Sequence, residues 1–536
     1  MESPIFLDHH STTPIDPDVL SEMIPFLTQN FGNASSNHIF GQEARRAVEK
    51  ARTQVADLIG AKPQEIIFTS GATESDNLAI KGVAESYHRR GNHIITTQIE
   101  HSAILDTCYF LEKLGFETTY LPVDKYGMVD PEQVASAIKP NTILISIIHA
   151  SNEVGTINPL AEIGQIARQA GVLFHSDAVQ AIGKIDVNVD YLNIDLMSLT
   201  AHKVYGPKGI GALYIRRKKP KIRIKPQNYG GGQEGKIRSG TLNVSGIVGF
   251  GYACQIAQTK MQKESEQLIS LRSRLYEGLK EQIDFLHLNG HPQKRLPGNL
   301  NVSIEFVDSV TLLEKLKDIA LSTGSACSSN SSAPSKVLTA MGIDDNLARN
   351  PIRFGLGRSN TKNEIDFVIV NGENAAGGFG ITPKICDQFF TAGADVVTTG
   401  NHVWDQKEII PYIDKESRLL RPHNYPMGTP GRGTGIYEDS VGRKVFVLHF
   451  MGLLFMPTLD DPFRGIDQAL LNKKLGRDFS AIILDFHGEA TSEKVAMGHN
   501  LDGKVSGQDI VIGSTGTVKG DIEFGNNLKT ENGADI

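Results

Sequence analysis

Cysteine is scarce, with four in 536 residues (Cys108, Cys254, Cys327 and Cys386) and no C-x-x-C pair. Neither a disulfide scaffold nor a cysteine-ligated zinc site is therefore written into the chain, and the usage fits a reducing cytoplasm. Positive charge is not in excess: 54 Lys and Arg stand against 61 Asp and Glu, a formal net charge of −7. That excludes the basic surface which non-specific nucleic-acid or anionic-membrane binding requires. Long apolar runs are missing as well. VFVLHFMGLLFM (445–456) is the most apolar stretch and contains His449, whereas a membrane span needs about 20 such residues. The opening MESPIFLDHH lacks the basic-then-apolar order of a secretory leader. No self-similar period marks a solenoid. What remains is a soluble globular composition, 40% hydrophobic, 7% aromatic and 21% charged, with length for about three to four domains.

Up to about residue 370, short apolar and β-branched words alternate with helical ones. EIIFTS (65–70), HIITT (93–97), TILISIIHA (142–150), VLFHSDA (172–178) and DLMSLTA (195–201) read as buried strands. GQEARRAVEKARTQVADLIG (41–60) and LAEIGQIARQAG (160–171) read as amphipathic helices. The alternation predicts a largely parallel sheet covered on both faces. A charged helix beginning near 258 leads to a smaller α/β unit containing NLNVSIEF (299–306), the helix LLEKLKDIAL and PIRFGLG (351–357). Near 361–372 two signals conflict: Thr361 with Glu364 forms a capping box, yet FVIVNGEN reads as a strand and turn. Strand words return in ADVVTTGNH, KVFVLHF and SAIILDFH, and 501–536 is Gly-rich with short alternating runs.

Several residues carry chemistry. In SLTAHKVYGPKG (198–209), Lys203 follows a strand and precedes Gly-Pro-Lys-Gly, a setting for a Schiff-base lysine. FTSGATESDN (68–77) puts small residues and Thr73 at a strand-to-helix turn, where backbone N–H groups and the helix dipole favour a phosphate. FHSDAVQ (174–180) sets Asp177 at a strand's carboxyl end, where α/β sheets bind ligands. An acid there can hold the proton of a pyridinium ring. Cys327 sits in LSTGSACSSNSSAPS (321–335), too polar to pack as core and suited to an accessible thiolate nucleophile. Cys108, Cys254 and Cys386 read as inert and buried.

The ordered words LDHHSTTP, FTSGATESDNLAIKG, EHSAILDTC, SNEVG, DAVQAIGK, AHKVYGPKGIGALY, GGGQEGKIRSGT, STGSACSS and IRFGLGR resemble NifS/IscS-type cysteine desulfurases over residues 1–369. The resemblance implies a fold-type-I pyridoxal-phosphate transferase. Its large parallel-sheet domain would span about 15–258, and its small α/β domain the N-terminal residues plus about 259–370. It also implies a homodimer with L-cysteine as substrate and a sulfur-acceptor or iron–sulfur scaffold protein as partner. Lys203 would then carry the cofactor, Asp177 pair with the ring nitrogen, Gln180 bond the ring hydroxyl and His101 stack on the ring as an acid–base. Ala72, Thr73, Thr200 and His202 would cradle the phosphate, joined by Thr241 from a second subunit, with Ala201 and Asn152 also at the cofactor. Thr200-Ala201 stands where the family often has Ser-Gly, so the hydroxyl is kept. Asn152 and Arg353 would orient the substrate carboxylate, and Cys327 would take the sulfur as a persulfide.

Beyond 370, NGENAAGGFGITPKICDQF, TTGNHVWDQKEIIPYI, LLRPHNYPMGTPGRG and ILDFHGEATSEKVAMGH resemble part of a YmdB-like metallophosphoesterase (371–499). In that family Glu373, Asn374, Asn401 and His487 would be metal ligands and His402 would act at the phosphate. The family's opening Asp strand and later His-x-His word are absent, and Leu453 stands where Arg is expected. The expectation is thus a partial, non-functional segment over 371–500 with at most a vestigial divalent-metal site, the alternative being a metal-dependent cyclic-nucleotide phosphodiesterase from 371–499. LDGKVSGQDIVIGSTGTVKGDI (501–522) is similar to a short bactofilin β-repeat, a scaffold reading, within a Gly-rich β or disordered tail (501–536). The junction strings IDFVIV and LDGKVS are shared by neighbouring families and point to a chimeric sequence.

Overall fold

A computed structural model describes all residues except 1–4, 218–221, 284, 306, 317–318, 325–333, 361–368, 377, 392–393, 439–441, 457–458, 489, 502–503 and 506–536. The chain divides into two compact units, residues 3–361 and residues 1–2 with 362–536. The division falls earlier than 370 because Ile369–Asn371 pairs inside the second unit.

In the first unit, β1 (Ile5–Phe6) is followed by seven strands of one sheet: β2 (Ile66–Thr69), β3 (His93–Thr97), β4 (Glu117–Leu121), β5 (Thr142–Ser146), β6 (Leu173–Asp177), β7 (Leu196–Thr200) and β8 (Gly211–Ile215). Their spatial order is β2-β8-β7-β6-β5-β3-β4. The strands from β3 to β7 pair in parallel, whereas β8 runs antiparallel to both β7 and β2. The sheet is therefore mixed, a refinement of the largely parallel expectation. GALYI is as apolar as its neighbours, and nothing in its composition encodes direction.

Alternate residues of each strand feed two cores. Ile66, Phe68, Ile95, Ile145, Phe174 and Met197 pack on one face; Ile67, Ile94, Leu144, Leu173 and Leu196 pack on the other. Helices α1 (Pro17–Thr28) and α2 (Ile39–Leu58) precede the sheet, and α3 (Ala72–Tyr87), α4 (Ser102–Glu112), α5 (Pro131–Ala137) and α6 (Leu160–Ala170) lie between its strands. Residues Ala44, Val48 and Val55 of α2 join the first core, and Leu78, Val83, Ile104 and Leu111 of α3 and α4 join the second. This is the double coverage that strands buried on both faces require.

Helix α7 (Val244–Gln282) is one continuous helix across the expected boundary at 258. It leads to β9 (Leu286–Asn289), β10 (Asn299–Ile304), β11 (Ile319–Ala320) and β12 (Pro351–Gly355). A three-stranded sheet has the order β12-β10-β9, while β1 and β11 pair in parallel. The expected helix LLEKLKDIAL is thus helical at Ser309–Lys315 and a strand at Ile319–Ala320.

Among the described residues, the second unit holds two three-stranded sheets. One is β13 (Ile369–Asn371), β14 (Val396–Thr398) and β15 (Leu419–Leu420), all parallel; the other is β16 (Thr434–Glu438), β17 (Lys444–Met451) and β18 (Ala481–His487). The strand words read from ADVVTTGNH, KVFVLHF and SAIILDFH correspond to β14, β17 and β18. The capping box at Thr361 and Glu364 and nearly all of the 501–536 tail lie outside the described residues.

Candidate active site

The carboxyl ends of parallel strands collect the polar groups. Strand β2 ends at Thr69, and Ala72 and Thr73 open α3 after Gly71, which supplies no side-chain cap. The first N–H groups of α3 are left for a ligand, the arrangement that suits a phosphate. Gly211 at the start of β8 lies close by. A Cβ there would stand 2.5 Å from the Leu199 carbonyl oxygen and 2.8 Å from Gly71 Cα. Strand β7 ends at Thr200, whose hydroxyl donates to the Ile210 carbonyl (3.3 Å), and a 3-10 turn Ala201–Lys203 follows. His202 Nδ1 meets the Thr12 hydroxyl at 3.2 Å. Burial, then the charges of Lys203, Lys208 and Lys184, bring the His202 imidazole down to about 4.

Asp177 ends β6, is 5% exposed and accepts from the Val179 N–H at 2.9 Å. Burial pushes its carboxyl up, while His101 and Lys203 oppose the shift. Asp76 of α3 is fully buried, with His175 Nε2 3.7 Å from its Oδ1, and burial and then Asp177 push its carboxyl well up. His101 caps α4, its Nδ1 accepting from the Ala103 N–H at 3.2 Å. The ring proton of a neutral His101 therefore resides on Nε2.

Gln180 is held at both ends of its carboxamide. Its Oε1 lies 2.7 Å from Lys184 Nζ and 3.1 Å from His10 Nδ1, and its Nε2 donates to the His10 carbonyl at 2.9 Å. Lys203 Nζ donates to the carbonyls of His10 and Ser11. Arg353 of β12 is 1% exposed and donates to the Asn152 carbonyl (2.8 Å) and to Asp8 (2.9 Å). Thr241 is exposed on the loop before α7. Cys327 lies outside the described residues. Cys108, Cys254 and Cys386 are buried as expected, and burial raises all three thiols, Cys108 and Cys386 to about 12.

This donor set fits pyridoxal phosphate. The Arg353 Nε–H is buried without a hydrogen-bond partner. Burial, then the charges of Lys203 and Arg353, bring Lys184 down to about 7, and Asp8 is bonded to Arg353. Such a cluster is balanced by an anionic ligand. A buried acid at a strand end beside it suits a protonated ring nitrogen.

Sequence reasoning missed His10, Lys184, Asp76 and two ion pairs. Arg52 meets Glu234 through two bonds (2.8 and 2.7 Å), and Arg238 meets Glu74 at 2.7 Å.

In the second unit, β18 and the turns after β13 and β14 bring three of the four expected ligands together. His487 Nε2 is 2.8 Å from Asn401 Oδ1, and His487 Nδ1 is 3.2 Å from Glu373 Oε2. His402 is instead bonded to Asp405 at 2.7 Å. No cluster of three or more His, Cys, Asp or Glu able to hold a metal ion occurs among the described residues. Glu373 Oε1 is buried without a hydrogen-bond partner.

A mixed seven-stranded sheet with a lysine, a buried acid and an uncapped helix start at its strand ends defines a fold-type-I pyridoxal-phosphate enzyme. Residues 5–368 match the aminotransferase class-V family model, and residues 345–521 match the YmdB-like protein model. Cysteine desulfurase IscS of Anaeromyxobacter dehalogenans (strain 2CP-C) is 52% identical over 370 residues, 69% of this chain and 91% of the relative. Cysteine desulfurase IscS of Escherichia coli O139:H28 is 51% identical over 372 residues, 69% of this chain and 92% of the relative. Among solved structures, a NifS-like protein aligns with TM-score 0.63 and 40% identity over 68% of this chain and 96% of its own. SspA in complex with cysteine aligns with TM-score 0.60 and 40% identity, covering 66% and 98%. The chain belongs to the cysteine desulfurases of aminotransferase class V.

Proposed function

We propose that the first unit takes sulfur from L-cysteine, releases L-alanine and holds the sulfur as a persulfide on Cys327 for a sulfur-acceptor or iron–sulfur scaffold protein. The observation that carries this reading is the convergence of Lys203, Asp177, Gln180 and Arg353 in a chain about half identical to cysteine desulfurases. Bound pyridoxal phosphate supplies the electron sink for the carbon that bears the substrate's amino group. Lys203 holds the cofactor and moves the Cα proton. Asp177 keeps the ring nitrogen protonated, Gln180 donates to the ring hydroxyl, and His101 covers the ring. Ala72, Thr73, Thr200, Ala201 and His202 hold the phosphate end. The planar guanidinium of Arg353, with Asn152, orients the substrate carboxylate. The Cys327 thiolate attacks the substrate sulfur, forming the S–S bond as the carbon–sulfur bond breaks.

A homodimer completes the site by contributing Thr241 from the second copy. The exposed apolar residues Ile24, Leu27, Phe31, Ile39 and Phe40 support a subunit interface, with Phe31 and Phe40 stacked at 5.7 Å. No helix among the described residues is long and apolar enough to cross a membrane. For the second unit, the mutual bonding of Glu373, Asn401 and His487 supports a vestige of the metallophosphoesterase site rather than a second hydrolase. Purified protein with added cofactor is expected to form alanine and sulfide from L-cysteine under reducing conditions, and Lys203→Ala to abolish both. Alanine formation that survives Lys203→Ala overturns the reading.

A further inference from the structure

Gln180 presents an unusual arrangement for a residue that is to face a cofactor. The atom bonded to the His10 carbonyl, an acceptor only, has to be the amide nitrogen, so the carboxamide orientation is settled by its partners. Its oxygen then receives Lys184 Nζ at 2.7 Å and His10 Nδ1 at 3.1 Å. The nitrogen uses one hydrogen on the His10 carbonyl at 2.9 Å and retains a second. Lys184 is surrounded by His9 and His10 of the N-terminal segment, His202 and Lys203 after β7, and Arg353 of β12. Two carboxylates lie near this cluster: Asp8 is bonded to Arg353 at 2.9 Å, and Asp177 faces Lys203 and His101. Burial, then the charges of Lys203 and Arg353, bring the Lys184 ammonium down to about 7, and a lysine so placed would be better replaced by a neutral side chain if its role were only to pack.

We propose that Lys184 is a positioning residue for the cofactor: bonded to Gln180 Oε1, it locks the carboxamide with Nε2 toward the ring hydroxyl and strengthens that N–H as a donor. The proposal rests on the reading that Gln180 meets the ring hydroxyl. The hydrogen bond from Lys184 Nζ to the amide oxygen, strongest in the ammonium form, draws electron density from the nitrogen and sharpens the remaining N–H. A stronger donor stabilises the anion of the ring oxygen, which then holds the neighbouring proton of the bound chromophore less tightly. Loss of Lys184 therefore raises the pH at which the visible band of the bound cofactor loses its proton.

The test is a pH titration of that band in the holoenzyme, with Lys184→Met, Lys184→Arg, Gln180→Ala and the double variant. Gln180→Ala and Lys184→Met are each expected to raise the midpoint by about one pH unit, tenfold in proton affinity. Lys184→Arg stays near the parent, and Lys184→Met adds nothing further in the Gln180→Ala background. An unmoved midpoint in Lys184→Met, with Gln180→Ala shifted, overturns the proposal and leaves the Gln180 reading standing. A full additional shift in the double variant also overturns it, because Lys184 would then act through space by charge alone. An unmoved midpoint in Gln180→Ala overturns the reading of Gln180, and the proposal with it. If Lys184→Met loses the cofactor, Lys184→Gln supplies the same comparison with a donor but no charge, and an unmoved midpoint there overturns the strengthening role.

Discussion

Replacing Arg52 by Met removes the centre of a connection among three segments of the first unit. Arg52 Nη1 and Nη2 grip both oxygens of Glu234 at 2.8 and 2.7 Å, and Nη1 also donates to the Ile66 carbonyl at 2.8 Å. Glu234 accepts in addition from the Phe68 N–H at 2.8 Å, so helix α2, strand β2 and the Gly-rich loop before α7 meet here. The side chains are 11% and 1% exposed. Glu234 is a non-glycine residue at φ 46°, a conformation costing about 1–2 kcal/mol that its surroundings have to maintain. Without Arg52 a buried carboxylate is left with the Phe68 N–H, and breaking such a pair from one side costs about 3–5 kcal/mol. Because β2 leads into Ala72 and Thr73, and the loop carries Thr241, weaker cofactor retention should accompany the loss. Arg52→Met with Glu234→Leu removes both charges and should recover most of the stability. Urea denaturation of the holoenzyme, followed by the visible cofactor band, reads both effects. A loss below about 1 kcal/mol in Arg52→Met would place the pair with ordinary surface bridges and refute the reasoning.

Asp177→Ala should lower alanine formation by orders of magnitude, because the ring nitrogen loses the acid that keeps it protonated; near-normal turnover would remove that assignment. Arg353→Lys exchanges a planar fork bonded to Asp8 and the Asn152 carbonyl for a point charge. It is expected to raise KM for L-cysteine about tenfold or more, an effect absent if Arg353 is only structural. Glu100 is held to about 8 by burial, against hydrogen bonds from the Ile148 N–H and the Thr97 hydroxyl, with Oε2 lacking a hydrogen-bond partner. Its folded-state value lies above the ordinary 4.5, so the native state binds the extra proton and stability falls as pH rises between about 4.5 and about 8. Glu100→Gln should flatten that slope in denaturation midpoints measured across the range; an unchanged slope contradicts it.

The legible part of the molecule is that in which a local word implies a local geometry. HIITT is β3 residue for residue, and FHSDAVQ, SLTAHK and FTSGATES each place a strand end against a turn, so Asp177, Lys203 and Thr73 could be found without coordinates. The antiparallel direction of β8 was not legible, since the run GALYI reads equally well either way. Nor were the partners of the site. Arg52 and Glu234 are separated by 182 residues, and His10 reaches Gln180 across 170. Charge and apolar period describe a residue's own segment, and these contacts exist only once the sheet has brought distant segments together. In the second unit the strand words held, and the ligand words Glu373, Asn401 and His487 did converge. The conflict read near 361–372 is partly explained by β13, which assigns Ile369–Asn371 to the second unit's sheet.

The most direct measurement is mass analysis of the peptide containing Cys327 after the purified holoenzyme has met L-cysteine without added reductant. One added sulfur atom on Cys327, formed together with alanine and absent in Lys203→Ala, is the predicted result. An unmodified Cys327 alongside undiminished alanine formation would contradict the account, because the sulfur would then have left by a route that does not pass through this thiol.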